Sequence, residues 1–128
     1  MSESQGRSKR TKTGAKHNKK RDKIKAELGR KTQKVTVGPT ERVSDKARGG
    51  NTKMGLRHAD EINVLDPKTK KVKKTKILTV VENKANRHYE RMSILTKGAI
   101  VKTELGEAKI TSRPSQEGVV NGILVAKA

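Results

Sequence analysis

Apolar residues are spread so unevenly along this chain that they decide where a core can form. Residues 1–34 contain three large aliphatic side chains, Met1, Ile24 and Leu28, against 13 Lys+Arg and 3 acids, a net of +10. Residues 35–128 hold 25 Val, Ile, Leu and Met residues, with 19 basic and 10 acidic residues, a net of +9. The first segment cannot bury enough apolar surface to offset the entropy of ordering it, so it is expected to be disordered when free. The core must come from the rest, which is long enough for one small domain. The expected division is a basic extension over 1–34 and a β-rich body over 35–128.

That core must also be aliphatic. The chain has no Phe, no Trp and one Tyr, Tyr89. There is no Cys, which excludes a disulfide scaffold and cysteine-bearing zinc sites. With 32 Lys+Arg against 13 Asp+Glu the formal charge is +19, so the expected partner is a polyanion, nucleic acid before anionic membrane. No apolar run approaches the length of a membrane span, and no apolar segment follows the basic N-terminus as in a secretory signal, so a soluble intracellular protein is expected. With one aromatic ring, base stacking has little to work with. Recognition should run through phosphates, 2′-OH groups and shape.

The body reads as strands: Gln33–Val37, Arg42–Ala47, Thr52–His58, Ile62–Leu65, Val72–Glu82, Ala99–Glu104, Glu107–Ser112 and Val119–Val125. Their β-branched and aliphatic residues favour extended backbone. Gly38-Pro39, Gly49-Gly50-Asn51, Asp66-Pro67, Gly106 and Gly118 punctuate them. Glu104-Leu105-Gly106-Glu107 reads as a tight hairpin with glycine at positive φ. Many short strands at close spacing predict an all-β class: a small antiparallel, partly open β-barrel-like body. Asn86–Ser93 is the helical candidate of the body. In the extension, Asn18 as N-cap and Gly29 as C′ glycine frame a short helix with Ile24 and Leu28 on one face, frayed until phosphates neutralise its cations.

Five stretches carry candidate nucleic-acid chemistry. The extension supplies Arg7, Lys9, Arg10, Lys12, Lys16, His17, Lys19, Lys20, Arg21, Lys23, Lys25, Arg30 and Lys31. Its glycines and small hydroxyl residues let backbone approach phosphates, although a solubilising tail would look similar. Asp66-Pro67 begins a turn that presents Lys68, Lys70 and Lys71, followed by Lys73 and Lys74. The strand should place Lys71, Lys73 and Thr75 on one face. Lysines guarding an edge strand are the plainer reading. Asn86, Arg87, His88 and Tyr89 combine amide, cation and ring able to reach base edges or 2′-OH groups; Tyr89 as a core residue and His88 as a surface cap is the alternative. Arg48, Asn51 and Lys53, and then Arg113, belong to loops that permit close approach or serve as ordinary connections. Catalysis has no support: His17, His58 and His88 form no HExxH or i,i+4 pair, and no Ser stands in GxSxG. No cofactor, metal or small-molecule substrate is expected.

Taken in order and spacing, these motifs are similar to the archaeal and eukaryotic small-subunit ribosomal protein family S-eight-e (eS-eight). The resemblance runs over nearly the whole chain. Its carriers are Gln5-Gly6-Arg7-Ser8, Thr13-Gly14, Glu27-Leu28-Gly29-Arg30, Arg48-Gly49-Gly50-Asn51, Asp66-Pro67-Lys68-Thr69 and Val72-Lys73-Lys74. Further on come Val80-Val81-Glu82-Asn83, Ala85-Asn86-Arg87-His88-Tyr89, Thr96-Lys97-Gly98-Ala99, Thr111-Ser112-Arg113-Pro114 and Gly118-Val119-Val120-Asn121. The short length resembles the archaeal form. The resemblance implies a cytoplasmic, ribosome-associated constituent of the small subunit, with rRNA and other small-subunit proteins as partners. Ser4 and Ala26 replace aromatic residues common in the family, which leaves phosphate contact as the extension's main mode. Lys70 stands where glycine is usual, which leaves the turn type open. Lys84 and Ser115 stand where proline and glycine are usual. A biogenesis factor of the same superfamily and a basic DNA-binding architectural protein are the alternatives.

Overall fold

The computed structural model describes residues 3–4, 7–18, 21–22, 24, 27–29 and 32–125. The chain divides into two compact units, Met1–Thr32 and Gln33–Ala128. In the first, β1 (Glu3–Ser4) pairs antiparallel with β2 (Leu28–Gly29). Gly29 therefore lies in a strand opposite Glu3 rather than beyond a helix end. Of the expected helix, the described residues show one tight turn, in which the Glu27 N–H donates to the Ile24 carbonyl at 3.0 Å. Lys19, Lys20, Lys23, Lys25 and Ala26 lie outside the described residues.

The second unit is mainly β. Its strands are β3 (Val35–Val37), β4 (Glu41–Lys46), β5 (Thr52–Ala59), β6 (Glu61–Leu65), β7 (Val72–Glu82), β8 (Ile94–Leu95), β9 (Ile100–Thr103), β10 (Gly106–Ile110) and β11 (Asn121–Leu124). Two short helices, α1 (Arg87–Arg91) and α2 (Pro114–Glu117), interrupt them. Five strands close a barrel in the order β10-β11-β6-β7-β9, with β9 pairing back to β10. The remaining four form an open sheet, β4-β5-β3-β8.

The barrel is closed rather than partly open, and it is not wholly antiparallel. β11 runs parallel to β6, with Gly122 opposite Val64, and β3 runs parallel to β5. The closure follows from the long β7, whose first half pairs with β6 and whose second half pairs with β9. Irregularities between Ile77 and Thr79 and between Val80 and Glu82 bend it between the two partners; bulges of this kind add twist and let a sheet curl.

Alternation fills the interior. Ile62 and Val64 of β6, Val101 of β9, Ala108 and Ile110 of β10, and Ile77 of β7 are buried. Leu56 and Ala59 of β5, Val35 and Leu95 join the same aliphatic cluster. Small residues suit the narrow barrel. At Gly122, an added Cβ would stand 3.0 Å from both Ile62 Cδ1 and the Lys109 carbonyl. The hairpin expected at Glu104–Glu107 forms as β9–β10, with Gly106 at φ +129° opposite Thr103.

Candidate nucleic-acid interface

In the first unit the chain reverses over residues 10–16. Arg10 and Lys16 are bridged, and the Thr11 N–H donates to the Ala15 carbonyl at 2.9 Å. Gly14 takes φ +88°, where L-residues are strained. The Arg10 guanidinium donates to the Gly14 carbonyl at 2.8 Å, and Arg7 donates to His17 Nδ1 at 3.2 Å. Arg7, Lys9, Arg10, Lys12 and Lys16 are exposed around this turn, with His17 half-buried. Arg21 is different: its guanidinium pairs with Glu27 at 2.7 Å. Lys19, Lys20, Lys23, Lys25, Arg30 and Lys31 lie outside the described residues.

In the second unit, cations gather on two loop tips. The β4–β5 hairpin turns through Arg48–Gly50, with Gly49 and Gly50 at φ +73° and +77°. The Ala47 N–H donates to the Asn51 carbonyl at 2.6 Å, and Asn51 Nδ2 donates to the Arg48 carbonyl at 3.2 Å. Asn51 thus holds the loop shape, while Lys46, Arg48 and Lys53 project into solvent.

The β6–β7 loop is built on Asp66. Its carboxylate accepts the Lys68 N–H and the Thr69 hydroxyl, each at 2.9 Å. Those bonds, the Lys68 one first, hold the Asp66 carboxyl below the usual carboxylate range. The Lys70 N–H donates to the Asp66 carbonyl at 2.9 Å, with Lys70 itself left-handed at φ +54°. The turn type left open by the sequence is therefore one that favours glycine, filled here by lysine. Lys68, Lys70 and Lys71 are exposed at its tip.

Along β7 the alternation holds, but its sense matters. Lys73 and Thr75 share the face of the buried Ile77, and the Thr75 hydroxyl is buried with no hydrogen-bond partner. Lys74 and Lys76 occupy the outer face. Lys74 pairs with Glu61 at 2.6 Å, so its charge is already matched.

The α1 cluster divides by role. The Asn86 side chain caps the helix, accepting the His88 N–H at 2.9 Å. Tyr89 is half-buried, not part of the core, and the Lys34 ammonium stands 5.3 Å from its ring centroid. Arg87 and His88 are exposed. Asn83, just upstream, is buried and fully engaged: it donates to the Ile94 carbonyl and accepts from the Ala85 N–H and the Thr96 hydroxyl. Arg113 precedes α2; its N–H donates to Glu117 at 3.1 Å and its guanidinium to Gln116 at 3.4 Å.

Lys34, Arg42, Lys46, Lys102 and Lys109, which the motifs did not single out, are also exposed on strands or beside them. Lys102 and Lys109 alternate with the buried Val101, Ala108 and Ile110, so strict period-two reading assigns them to the outer surface. With 13 acids for 32 Lys+Arg, most cations on these surfaces have no acidic partner to occupy them. Among the described residues no group of His, Asp and Glu is placed to hold a metal ion. No helix of the described residues is long and apolar enough to cross a membrane.

Relatives of known class match nearly the whole chain. The sequence model of the family described as Ribosomal protein S8e matches residues 4–125. The small ribosomal subunit protein eS8 of Sulfolobus acidocaldarius is 44% identical over 126 residues, 98% of each chain. The protein of that name from Nanoarchaeum equitans is 49% identical over 121 residues, 94% of this chain and 95% of its own. That from Methanobrevibacter smithii is 47% identical over 125 residues, 98% of this chain and 100% of its own. Membership of a ribosomal-protein family sets aside the catalytic role for which the residues gave no support. The chain belongs to the ribosomal protein S8e family and is a non-enzymatic, structural protein of the small ribosomal subunit.

Proposed function

We propose that this chain binds small-subunit rRNA mainly through phosphate and 2′-OH contacts, and that by neutralising phosphates it lets RNA helices pack closely during assembly. The observation that carries the reading is the placement of its cations. Exposed cations stand on or beside three short, hydrogen-bonded turns: Arg10, Lys12 and Lys16 at residues 10–16, Lys46, Arg48 and Lys53 around residues 47–51, and Lys68, Lys70 and Lys71 at residues 66–71. Such turns present their cations at exposed tips, where phosphates can approach from several sides. Phosphate contact supplies affinity and position, and the 2′-OH distinguishes RNA from DNA. Within the cytoplasmic ribosome its neighbours would be rRNA and other small-subunit proteins.

The test is binding to isolated rRNA fragments as salt is raised. About eight phosphate contacts, at ~0.9 per phosphate, give a slope of log K against log salt near −7. Salt-independent binding, or an equal preference for B-form DNA, overturns the proposal. Sedimentation of salt-washed lysate separates the remaining alternative. Stoichiometric presence in mature small subunits supports a structural constituent, and confinement to precursor particles supports a biogenesis factor.

A further inference from the structure

We infer that one end of the barrel carries a docking surface for another small-subunit protein, and that this surface takes an aliphatic segment bearing acidic residues. The inference rests on the reading above that small-subunit proteins are among its neighbours. Strand register lays out the outer face of the barrel in rows. Glu61 stands opposite Lys76, and Asn63 stands opposite Lys74 and Asn121. The next row is aliphatic: Leu65 stands opposite Val72 on one side and Ile123 on the other. Directly opposite residues of paired strands share a face, so these three form one patch. Val72 is 64% exposed and Ile123 39%. The patch continues along β11. The Val125 N–H donates to the Glu107 carbonyl at 2.8 Å, which extends the strand and puts exposed Val125 on the side of Ile123. With Pro67, Leu105 and Leu124, Val125 lines a groove of about 400 Å³ between the β6–β7 loop and the β9–β10 hairpin.

Single exposed aliphatic side chains are ordinary, whereas a contiguous run across three strands marks a contact surface. The closed barrel has no free edge here, so the contact is made by side chains and not by an added strand. An RNA backbone presents phosphates and would leave the aliphatic row unmatched. The surrounding charge selects the partner. Lys109 stands opposite Ile123, and Lys68 lines the groove. Both are exposed, and neither has an ion pair among the described residues. The nearby acids are engaged: the Asp66 carboxylate accepts the Lys68 N–H and the Thr69 hydroxyl, and Glu107 stands opposite Lys102. Unmatched cations beside exposed aliphatic groups call for carboxylates beside aliphatic groups on the partner. A second copy would set these lysines against their own kind, on a body whose residues 35–128 already carry a net of +9. Lys70 and Lys71 of the same loop remain for phosphates.

The test places a photo-activated benzophenone amino acid at position 72 of the full chain and, as the polar-row control, at position 76. Cells making each variant are irradiated, small subunits are purified, and cross-linked peptides are identified by mass spectrometry. The expected product at position 72 is a segment of another small-subunit protein that combines aliphatic residues with Asp or Glu, and position 76 does not join that segment. A product on rRNA, on a second copy or on a basic segment overturns the inference. So does the absence of any product in subunits that contain the chain. Val72→Ser with Ile123→Ser gives a second readout, which decides if the benzophenone keeps the chain out of subunits. Washing at high salt screens the phosphate contacts. Retention of this variant in washed subunits should fall several-fold, while affinity for isolated rRNA fragments stays within about twofold. If its thermal midpoint falls, Val72→Ser alone, at the most exposed residue of the row, carries the comparison. Unchanged retention overturns the inference. Failure of the unaltered chain to bind rRNA fragments takes down the RNA reading and leaves the cross-link result standing.

Discussion

The backbone carbonyl of Ser115 lies where a side chain at position 55 would begin. Gly55 is buried in β5, and a Cβ added there would collide with the Ser115 carbonyl oxygen and crowd its carbon at 3.1 Å. The obstacle is backbone at the first turn of α2, which cannot swing aside as a flexible side chain could. This contact fastens α2, and with it Arg113, to the open sheet. Gly55→Ala is therefore expected to destabilise the body by about 1–3 kcal/mol, as overpacking of a tight site does. In thermal unfolding, each kcal/mol should lower the midpoint by ~4–8 °C for a domain of this size. An unchanged midpoint would show that α2 shifts freely.

Lys70 sets stability against binding. At φ +54° it bears the left-handed penalty of an L-residue, about 1–2 kcal/mol. Glycine removes that penalty but gives back part of it as added freedom in the unfolded chain. Lys70→Gly is expected to stabilise the body by about 0.5–1 kcal/mol and to make the salt slope of RNA binding shallower by ~0.9, one phosphate contact. Denaturant unfolding and salt-dependent binding on the same variant test both halves.

The loop that carries Lys70 should loosen in acid. Asp66 is held below its ordinary value of 3.8 by the bonds from Lys68 and Thr69. A carboxyl with a lowered folded value contributes stability above the ordinary value and loses it as pH falls through the lower one. The same sign applies to Asp60, whose first cause is the Thr40 hydroxyl. The Lys68 amide resonance should thus titrate with a midpoint below 3.8 in an NMR pH series, and Asp66→Ala should abolish that step. A midpoint above 3.8 contradicts the hydrogen-bonded loop.

Asn83 predicts a purely structural variant within a cluster rich in RNA-like chemistry. Asn83→Ala strips partners from the Ile94 carbonyl, the Ala85 N–H and the Thr96 hydroxyl. Leaving buried polar groups unpaired costs about 1–3 kcal/mol. Unfolding should register that loss. RNA affinity measured well below the midpoint should stay within twofold, whereas a large loss there would make Asn83 a contact.

Removing residues 1–32 should leave a cooperative thermal transition, because the aliphatic cluster lies wholly within Gln33–Ala128. RNA affinity should fall steeply and its salt slope become shallower by several units, as the cations of the residue 10–16 turn are lost. If the transition disappears, the extension belongs to the folding unit of the body.

Much of the β architecture was legible because period-two burial and glycine punctuation are local signals. Val72–Glu82 appears with the same bounds, and Glu104–Glu107 turns as its glycine demands. What escaped was non-local or very short. Ile94–Leu95 has two residues and no period to read. Pro114–Glu117 reads as a loop, although Pro114 at its start and Gly118 at φ +70° at its end are helix punctuation. Parallel pairing of β11 with β6 depends on a crossover through β7, β9 and β10, which no sequence window contains. The interface follows the same divide. Lysine runs at turns are visible in sequence, whereas Asn63 and Asn121 meet only through the pairing of β6 with β11. The neutralised state of Lys74 depends on Glu61, thirteen residues away.

The parallel insertion of β11 between β10 and β6 also sets a clock on synthesis. A ribosome making this chain delivers the cationic extension before residues 121–124. Until those residues clear the exit tunnel, β6 and β10 keep unpaired edges and the ring stays a ribbon. The net +10 of residues 1–34 is thus in place before the barrel can close. Closure of the barrel therefore waits on β11, after every other strand of the ring has been made.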